Sequence, residues 1–282
     1  MYGVTVRMVT HSIVVQIYEI QDPIEAETVI ELGVDRIGSV ILSEADWKVP
    51  AIRDAILVSK DAAVKHSLIP LFYTEEVLFS CIDYYAPDVI HFCESFADQE
   101  SLTRSCQALT GLHISLKKKF PDIEIMRTVP VEATGSVQSI PTFEVAKCFE
   151  TTSDYFLVDT SMGNEPVQGF VGITGHTCDW KVARELIETN PLPVILAGGL
   201  SPENVYEAVM EVRPFGVDSC TRTNAVDGEG RPIRFRKDTN AVRAFVEAVR
   251  QAEVDLSSGD NETESTTTRI AGGLDFRHRR KD

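Results

Sequence analysis

The sequence predicts a single α/β domain, a closed (β/α)8 TIM barrel, on three observations. Short β-branched runs alternate eight times with stretches of 3.6-residue periodicity. Strands separated by helices must pair in parallel through right-handed crossovers, and eight repeats in about 240 residues suit a closed barrel better than an open sheet. No glycine-rich dinucleotide fingerprint follows the first run, for Ile17–Pro23 holds no glycine.

In chain order, the strands are expected at Ile13–Tyr18, Arg36–Leu42, Leu68–Tyr73, Asp88–Phe92, Ile123–Val129, Tyr155–Asp159, Val194–Ala197 and Gly216–Ser219. Asp22-Pro23 marks the first helix start, and Ser201-Pro202-Glu203-Asn204 the seventh, as an N-cap with proline at N1. Val182, Ala183, Leu186 and Ile187 form one apolar stripe, and Val205, Ala208, Val209 and Val212 another. The last helix carries Val242, Phe245, Val246 and Val249 on one face. The barrel is assigned to residues 13–252, after an N-terminal extension of residues 1–12. Residues 253–282, polar and ending in Arg277-His278-Arg279-Arg280-Lys281, are expected to form a disordered tail.

The 282 residues, 43% of them hydrophobic, can bury a proper core, and no apolar run approaches a membrane span. Residues 1–12 lack the apolar stretch of a secretory signal, so a cytoplasmic protein is expected. Six cysteines (Cys81, Cys93, Cys106, Cys148, Cys178 and Cys220) show no CxxC or CxxH spacing and read as reduced, buried small hydrophobes, with no metal site. A net charge of −16 argues against nucleic acid or an anionic membrane as partner. It leaves room for an anionic small molecule, because backbone N–H groups hold a phosphate without net positive charge. A monomer or homodimer is expected.

Ligands of such barrels sit at the C-terminal ends of the strands. After strand 7, Leu196-Ala197-Gly198-Gly199-Leu200 lets the backbone approach a phosphate closely, although a plain tight turn reads the same way. After strand 8, Asp218-Ser219-Cys220-Thr221-Arg222 brings hydroxyls and a cation beside it. Gly198, Gly199, Cys220 and Thr221 are therefore the expected phosphate-binding set. After strand 6, Gly172-Ile173-Thr174-Gly175-His176 is flexible enough to fold over a ligand, with Gly172, Thr174 and Gly175 as contacts. Asp159 stands at the end of strand 6 with no cation beside it in sequence, where a carboxyl group can act as general acid or base. His91 reads better as a buried histidine, and Asp179-Trp180 as an N-cap and a packing aromatic.

These residues resemble phosphoribosylanthranilate isomerase, the Amadori isomerase of tryptophan biosynthesis, from about residue 13 to 250. Leu157-Val158-Asp159-Thr160, Gly172–Trp180, the Leu196–Leu200 run with Ser201–Val205, Gly216-Val217-Asp218 and Lys237-Asp238 carry the likeness in order and spacing. The resemblance implies ring-opening and a proton shift on a phosphoribosyl amine, with no metal or organic cofactor. Asp159 takes the general acid's position. Tyr18 stands where the family has its base cysteine, so it, Glu19 or His91 would have to serve. Trp47, with Lys48 beside it, takes the position of the arginine that binds the anthranilate carboxylate. Two alternatives stay open: a divergent barrel enzyme on another phosphorylated sugar, and a non-catalytic homologue that binds a phosphate ligand.

Overall fold

A computed structural model describes residues 12–96, 99–136, 140–163 and 165–271. The first eight strands close into a barrel in sequence order: β1 (Val14–Ile17), β2 (Arg36–Ile41), β3 (Lys65–Pro70), β4 (Val89–Phe92), β5 (Glu124–Glu132), β6 (Tyr155–Ser161), β7 (Val194–Leu196) and β8 (Gly216–Ser219). Every pairing is parallel, and β1 against β8 shuts the ring, with Gln16 opposite Asp218 and Ile17 opposite Ser219. The intervening helices are α1 (Pro23–Glu31), α2 (Pro50–Asp61), α3 (Glu75–Tyr85), α4 (Gln99–Lys119), α5 (Thr142–Phe149), α6 (Trp180–Thr189) and α7 (Val205–Val212), with α8 (Thr239–Ala271) after the last strand. The expected (β/α)8 architecture is what forms.

Hydrophobic burial divides into an outer shell and an interior plug. Val15, Ile17, Leu196 and Val217 face the helices and meet Val29, Val205, Phe245 and Val249. Inside the ring, Tyr18, Val89, Met126, Leu157, Ile195 and Ala197 fill the space between strands. At the strands' N-terminal end Arg36 lies 4.4 Å over the Tyr155 ring and 5.8 Å over that of Phe215. Arg127, also buried, pairs with Glu94 and lies against the rings of Phe96 and Phe149, which stack on each other.

Several local expectations shift. The third strand starts at Lys65, three residues before the apolar run at Leu68, because His66 and Ser67 are buried with their polar atoms satisfied. His66 Nε2 meets Ser39 Oγ at 2.8 Å, and Nδ1 meets Ser59 Oγ at 2.8 Å. Asp22 caps α1, with its carboxylate accepting from the Ile24 and Glu25 amides, and Asp179 caps α6. The seventh helix begins only at Val205. Asn204, the residue before it, folds its side chain back to accept from the Ser201 amide and donate to the Gly199 carbonyl. An antiparallel pair, β9 (Asn224–Val226) and β10 (Pro232–Lys237), follows β8 and stands outside the barrel. The six cysteines are not all reduced, since Cys106 on α4 is bonded to Cys148 on α5. Helix α8 continues past residue 252 to Ala271, and Leu256 still packs on the core. Residues 1–11 of the expected extension and 272–282 of the expected tail lie outside the described residues. Among the described residues no helix is long and apolar enough to cross a membrane.

Candidate active site

A cavity opens at the C-terminal end of the strands in two lobes that share Asp159, Ile173, Asp218 and Cys220 as common walls. One lobe is mostly apolar, walled by Val40, Ile69, Leu71, Phe170 and Val171, with Tyr18 and His91 at its floor. The other is small and polar, formed by Thr174, Gly175, Gly198, Gly199, Ser219 and Thr221.

The polar lobe is built from close backbone approaches. Gly198 and Gly199 have φ of 80° and 59°, a region that favours glycine. A Cβ on Gly198 would run into Thr160 Oγ1, and one on Gly199 would stand 2.6 Å from the His176 carbonyl carbon. Thr160 Oγ1 donates to the His176 carbonyl at 2.6 Å, drawing the loop after β6 onto the turn after β7. The backbone amides of Gly198 and Gly199 donate to nothing among the described residues. The Thr221 hydroxyl is buried and also without a partner there. Buried polar groups are normally satisfied, so an orphaned hydroxyl beside two unused amides fits an anionic oxygen-rich ligand. Because α7 starts late, a turn rather than the helix itself follows the cradle.

Asp159 projects from the end of β6 between the lobes. Its Oδ1 accepts from the Thr160 amide at 2.7 Å, while Gly172 crosses its other oxygen so closely that a Cβ there would collide with it. Burial raises its pKa to about 7, against the opposing hydrogen bond from Thr160. The covering loop is held in left-handed backbone at Gly172, Ile173 and Gly175, an unusual and strained conformation for the β-branched Ile173. Arg222 latches it shut, donating from Nε and Nη2 to the Gly175 carbonyl at 3.0 and 2.7 Å. Gly172, Thr174 and Gly175 all line the cavity.

Asp218 faces Asp159 across the same cavity from β8. Gln16 Nε2 donates to its Oδ1 at 3.0 Å, and burial raises this pKa too to about 7, helped by the charge of Asp159. In the sequence Asp218 stands out only as part of a motif. The signal that singles it out is its register opposite Gln16, which turns both side chains into the barrel.

Tyr18 does not sit as a base should. Its ring runs sideways over β2, where a Cβ on Gly38 would overlap it. Its hydroxyl reaches Ser67 Oγ at 2.5 Å and His91 Nδ1 at 2.7 Å. Burial holds the phenol well above its ordinary pKa, so it stays protonated near neutrality. His91 has both ring nitrogens engaged, the second with Thr128 Oγ1 at 2.7 Å, and burial lowers its pKa to about 3. Glu19, in left-handed backbone at φ 64°, is tied to Arg234 at 2.5 Å. Cys220 hydrogen-bonds Glu19, and burial pushes its thiol far up.

Trp47 and Lys48 do not join the cavity. Trp47 packs edge-on against Tyr84 and Tyr85 near α3, and Lys48 lies 5.0 Å over the Trp47 ring. Tyr85 Oη ties this loop down by donating to the Trp47 carbonyl at 2.7 Å. Lys237, the lysine of the Lys237-Asp238 pair, is buried and braces the β8 turn, donating to the Cys220 carbonyl at 3.0 Å and to Asn224 Oδ1 at 2.5 Å. Asp238 caps α8 by accepting from the Asn240 and Ala241 amides.

A family model described as N-(5'phosphoribosyl)anthranilate (PRA) isomerase matches residues 112–248. The chain resembles the phosphoribosylanthranilate isomerases. The matched stretch holds Asp159, both glycine loops and Asp218, and leaves out positions 18 and 47. The N-(5'-phosphoribosyl)anthranilate isomerase of Methanocella arvoryzae is 39% identical over 135 residues, covering 48% of this chain. The chain spans 54% of that protein's length and 51% of a second such isomerase, from Methanosarcina mazei. The isomerase of Methanosarcina acetivorans is 27% identical over 242 residues, 84% of this chain and 92% of that one. The crystal structure of phosphoribosyl anthranilate isomerase from Thermotoga maritima shares the fold with a TM-score of 0.60 at 21% identity, covering 85% of this chain and 99% of that one.

Proposed function

We propose that this chain is a phosphoribosylanthranilate isomerase-like enzyme that converts a phosphoribosyl amine from aldose to ketose form by an Amadori rearrangement, as in tryptophan biosynthesis. The observation that carries this reading is Asp159, a half-buried carboxyl with pKa raised to about 7, placed between an apolar lobe and a small polar one. An acid that still holds its proton near neutrality can give it to a furanose oxygen. The phosphate would take the amides of Gly198 and Gly199 and the Thr221 hydroxyl, beside Cys220. The aromatic amine would lie in the apolar lobe under Gly172 and Ile173, while Thr174 and Gly175 would close over the phosphate. No lysine or arginine among the described residues lines that lobe, so the ring would be held by burial rather than by an ion pair to its carboxylate.

Within this reading Asp159 protonates the ring oxygen, the C1–O bond breaks, and the nitrogen lone pair closes a protonated Schiff base. The loop latched by Arg222 keeps water from that intermediate. The steps use side chains alone, with no cofactor. The partner is a phosphorylated small molecule, with neither nucleic acid nor membrane involved, and the enzyme acts in the cytoplasm as a monomer or homodimer. Among the solved relatives, the dimeric isomerase of Thermotoga maritima has also been crystallised as monomers generated from it.

The test is turnover of phosphoribosylanthranilate to the ketose, followed by product formation. Activity should be present and should fall about 10²–10⁴-fold in kcat for Asp159→Asn, the usual worth of general acid assistance. A fully active Asp159→Asn enzyme would remove the assignment, and absence of wild-type turnover would turn the reading to the alternative sugar phosphates.

A further inference from the structure

We propose that Asp218, on β8, is the base that takes the sugar C2 proton in this isomerisation, in place of the side chain at position 18. The inference rests on the isomerase reading and names the second half of its acid–base pair. Tyr18 leaves β1 toward β2, β3 and β4, where Gly38, Ser67 and His91 receive it. That vacates the side of the cavity next to β8. There Asp218 stands one strand over, opposite Gln16 and therefore two residues below position 18. It lines both lobes, so it reaches the space between phosphate and amine that the reacting carbons must occupy.

The other groups within reach are unsuited. The phenol of Tyr18 and the thiol of Cys220 are held protonated by burial. His91 spends both nitrogens on hydroxyls, and Glu19 is committed to Arg234. Around Asp218 the facing groups are Gln16 from β1 and Tyr18 just after it, Asp159 from β6, Cys220 beyond β8 and Lys237 from β10. Burial and the Asp159 charge raise its pKa, whereas Gln16 and Lys237 favour the carboxylate. Two carboxyls that titrate near pH 7 in one cavity can share a single proton, one serving as acid while the other is ionised.

The step balances without a co-reactant. After Asp159 has given its proton to the ring oxygen, the Asp218 carboxylate removes the proton on C2. The C–H electrons become the C1–C2 double bond, and the C1=N electrons return to nitrogen. A neutral enolamine results, with Asp218 protonated and Asp159 ionised, so C2 is oxidised and C1 reduced within one molecule. Transfer of a proton to C1 and loss of the enol proton complete the ketose.

The experiment measures steady-state kinetics of wild type, Asp218→Asn and Tyr18→Phe on phosphoribosylanthranilate and on the corresponding phosphoribosyl adduct of aniline. Asparagine keeps the acceptor for Gln16, so the fold should survive, checked by thermal melting. Asp218→Asn should lower kcat about 10²–10⁴-fold with KM within a few-fold, and abolish the acid limb of the kcat/KM profile. Tyr18→Phe should lose far less. An active wild type whose Asp218→Asn variant keeps kcat within about tenfold and retains that limb overturns the inference and leaves the isomerase reading standing. So does a Tyr18→Phe loss as large as that expected for Asp218→Asn. A folded wild type inactive on both substrates overturns the reading and the inference together.

Discussion

Position 18 shows how far a side chain's role depends on the room its neighbours leave. The tyrosine at position 18 is legible in the sequence, and so is the difficulty of using an unperturbed phenol as a base. Where the ring goes is not legible, because that depends on Gly38 one strand away, whose missing side chain makes the room. Trp47 and Lys48 fail to reach the cavity for the same reason. Their positions are set by Tyr84 and Tyr85, which belong to the next helix but one in the chain. Asp159 and the Gly198-Gly199 turn were readable because a local motif fixes both the backbone and the direction of the group. The Gly38–Tyr18 pairing can be tested alone. Gly38→Ala should cost more than the ~1–3 kcal/mol usual for overpacking, since the added methyl meets a ring pinned by two hydrogen bonds. In a Tyr18→Ala background the same substitution should cost under about 1 kcal/mol, as read by chemical denaturation. Equal costs in the two backgrounds would show that the ring is not what Gly38 accommodates.

Among the elements, the barrel strands were legible from β-branched runs and the helices from apolar stripes, but the strand that buries its polar residues was misplaced. Lys65, His66 and Ser67 look like loop residues until their partners Glu124, Ser39, Ser59 and Tyr18 are known. The β9–β10 hairpin left a readable trace, Asp227-Gly228 followed by the alternating Pro232–Lys237, a combination that marks a turn between strands. Its hold on the barrel is tertiary. Arg234 reaches from β10 to Glu19, which is buried behind β1 with 2% of its side chain exposed, while the arginine is 38% exposed. Arg234→Ala should therefore cost more than the ~1 kcal/mol ceiling of a surface pair and less than the ~3–5 kcal/mol of a fully buried one. At the hairpin tip Arg231 pairs with Asp227 while 68% exposed, so Arg231→Ala should cost under ~1 kcal/mol. Urea unfolding of both variants compares them directly, and equal costs would mean that Glu19 finds water when Arg234 is gone.

At the scale of the whole molecule, the fold works against its own site. A (β/α)8 ring supplies a dry pocket at the C-terminal ends of the strands, and the interior plug of Tyr18, Leu157, Ile195 and Ala197 removes water from beneath it. On the proposed reading the two carboxyls there must each keep or take a proton near neutrality, and burial favours that by making ionisation unfavourable. The cost appears in stability. For Asp159 and Asp218 the folded pKa, about 7, lies above the ordinary value of 3.8. Below about pH 4 both states hold these protons, and there is no penalty. As pH rises toward 7 the unfolded chain releases them while the folded protein retains them, so folding stability falls, and it levels off once the folded groups also ionise. A neutral isostere removes that slope and keeps the hydrogen bonds, since asparagine can still accept from the Thr160 amide or from Gln16. Asp159→Asn and Asp218→Asn should each melt close to wild type near pH 4. Each should melt several degrees higher at pH 8, with the gain accumulating between about pH 4 and 7. Calorimetry across that range measures it, alongside the kinetic loss expected of the same variants. Gains in stability that track losses in turnover would place the two carboxyls in a strained, functional pocket. A pH-independent difference in melting, or a loss at pH 8, would mean that neither group is held protonated by its surroundings.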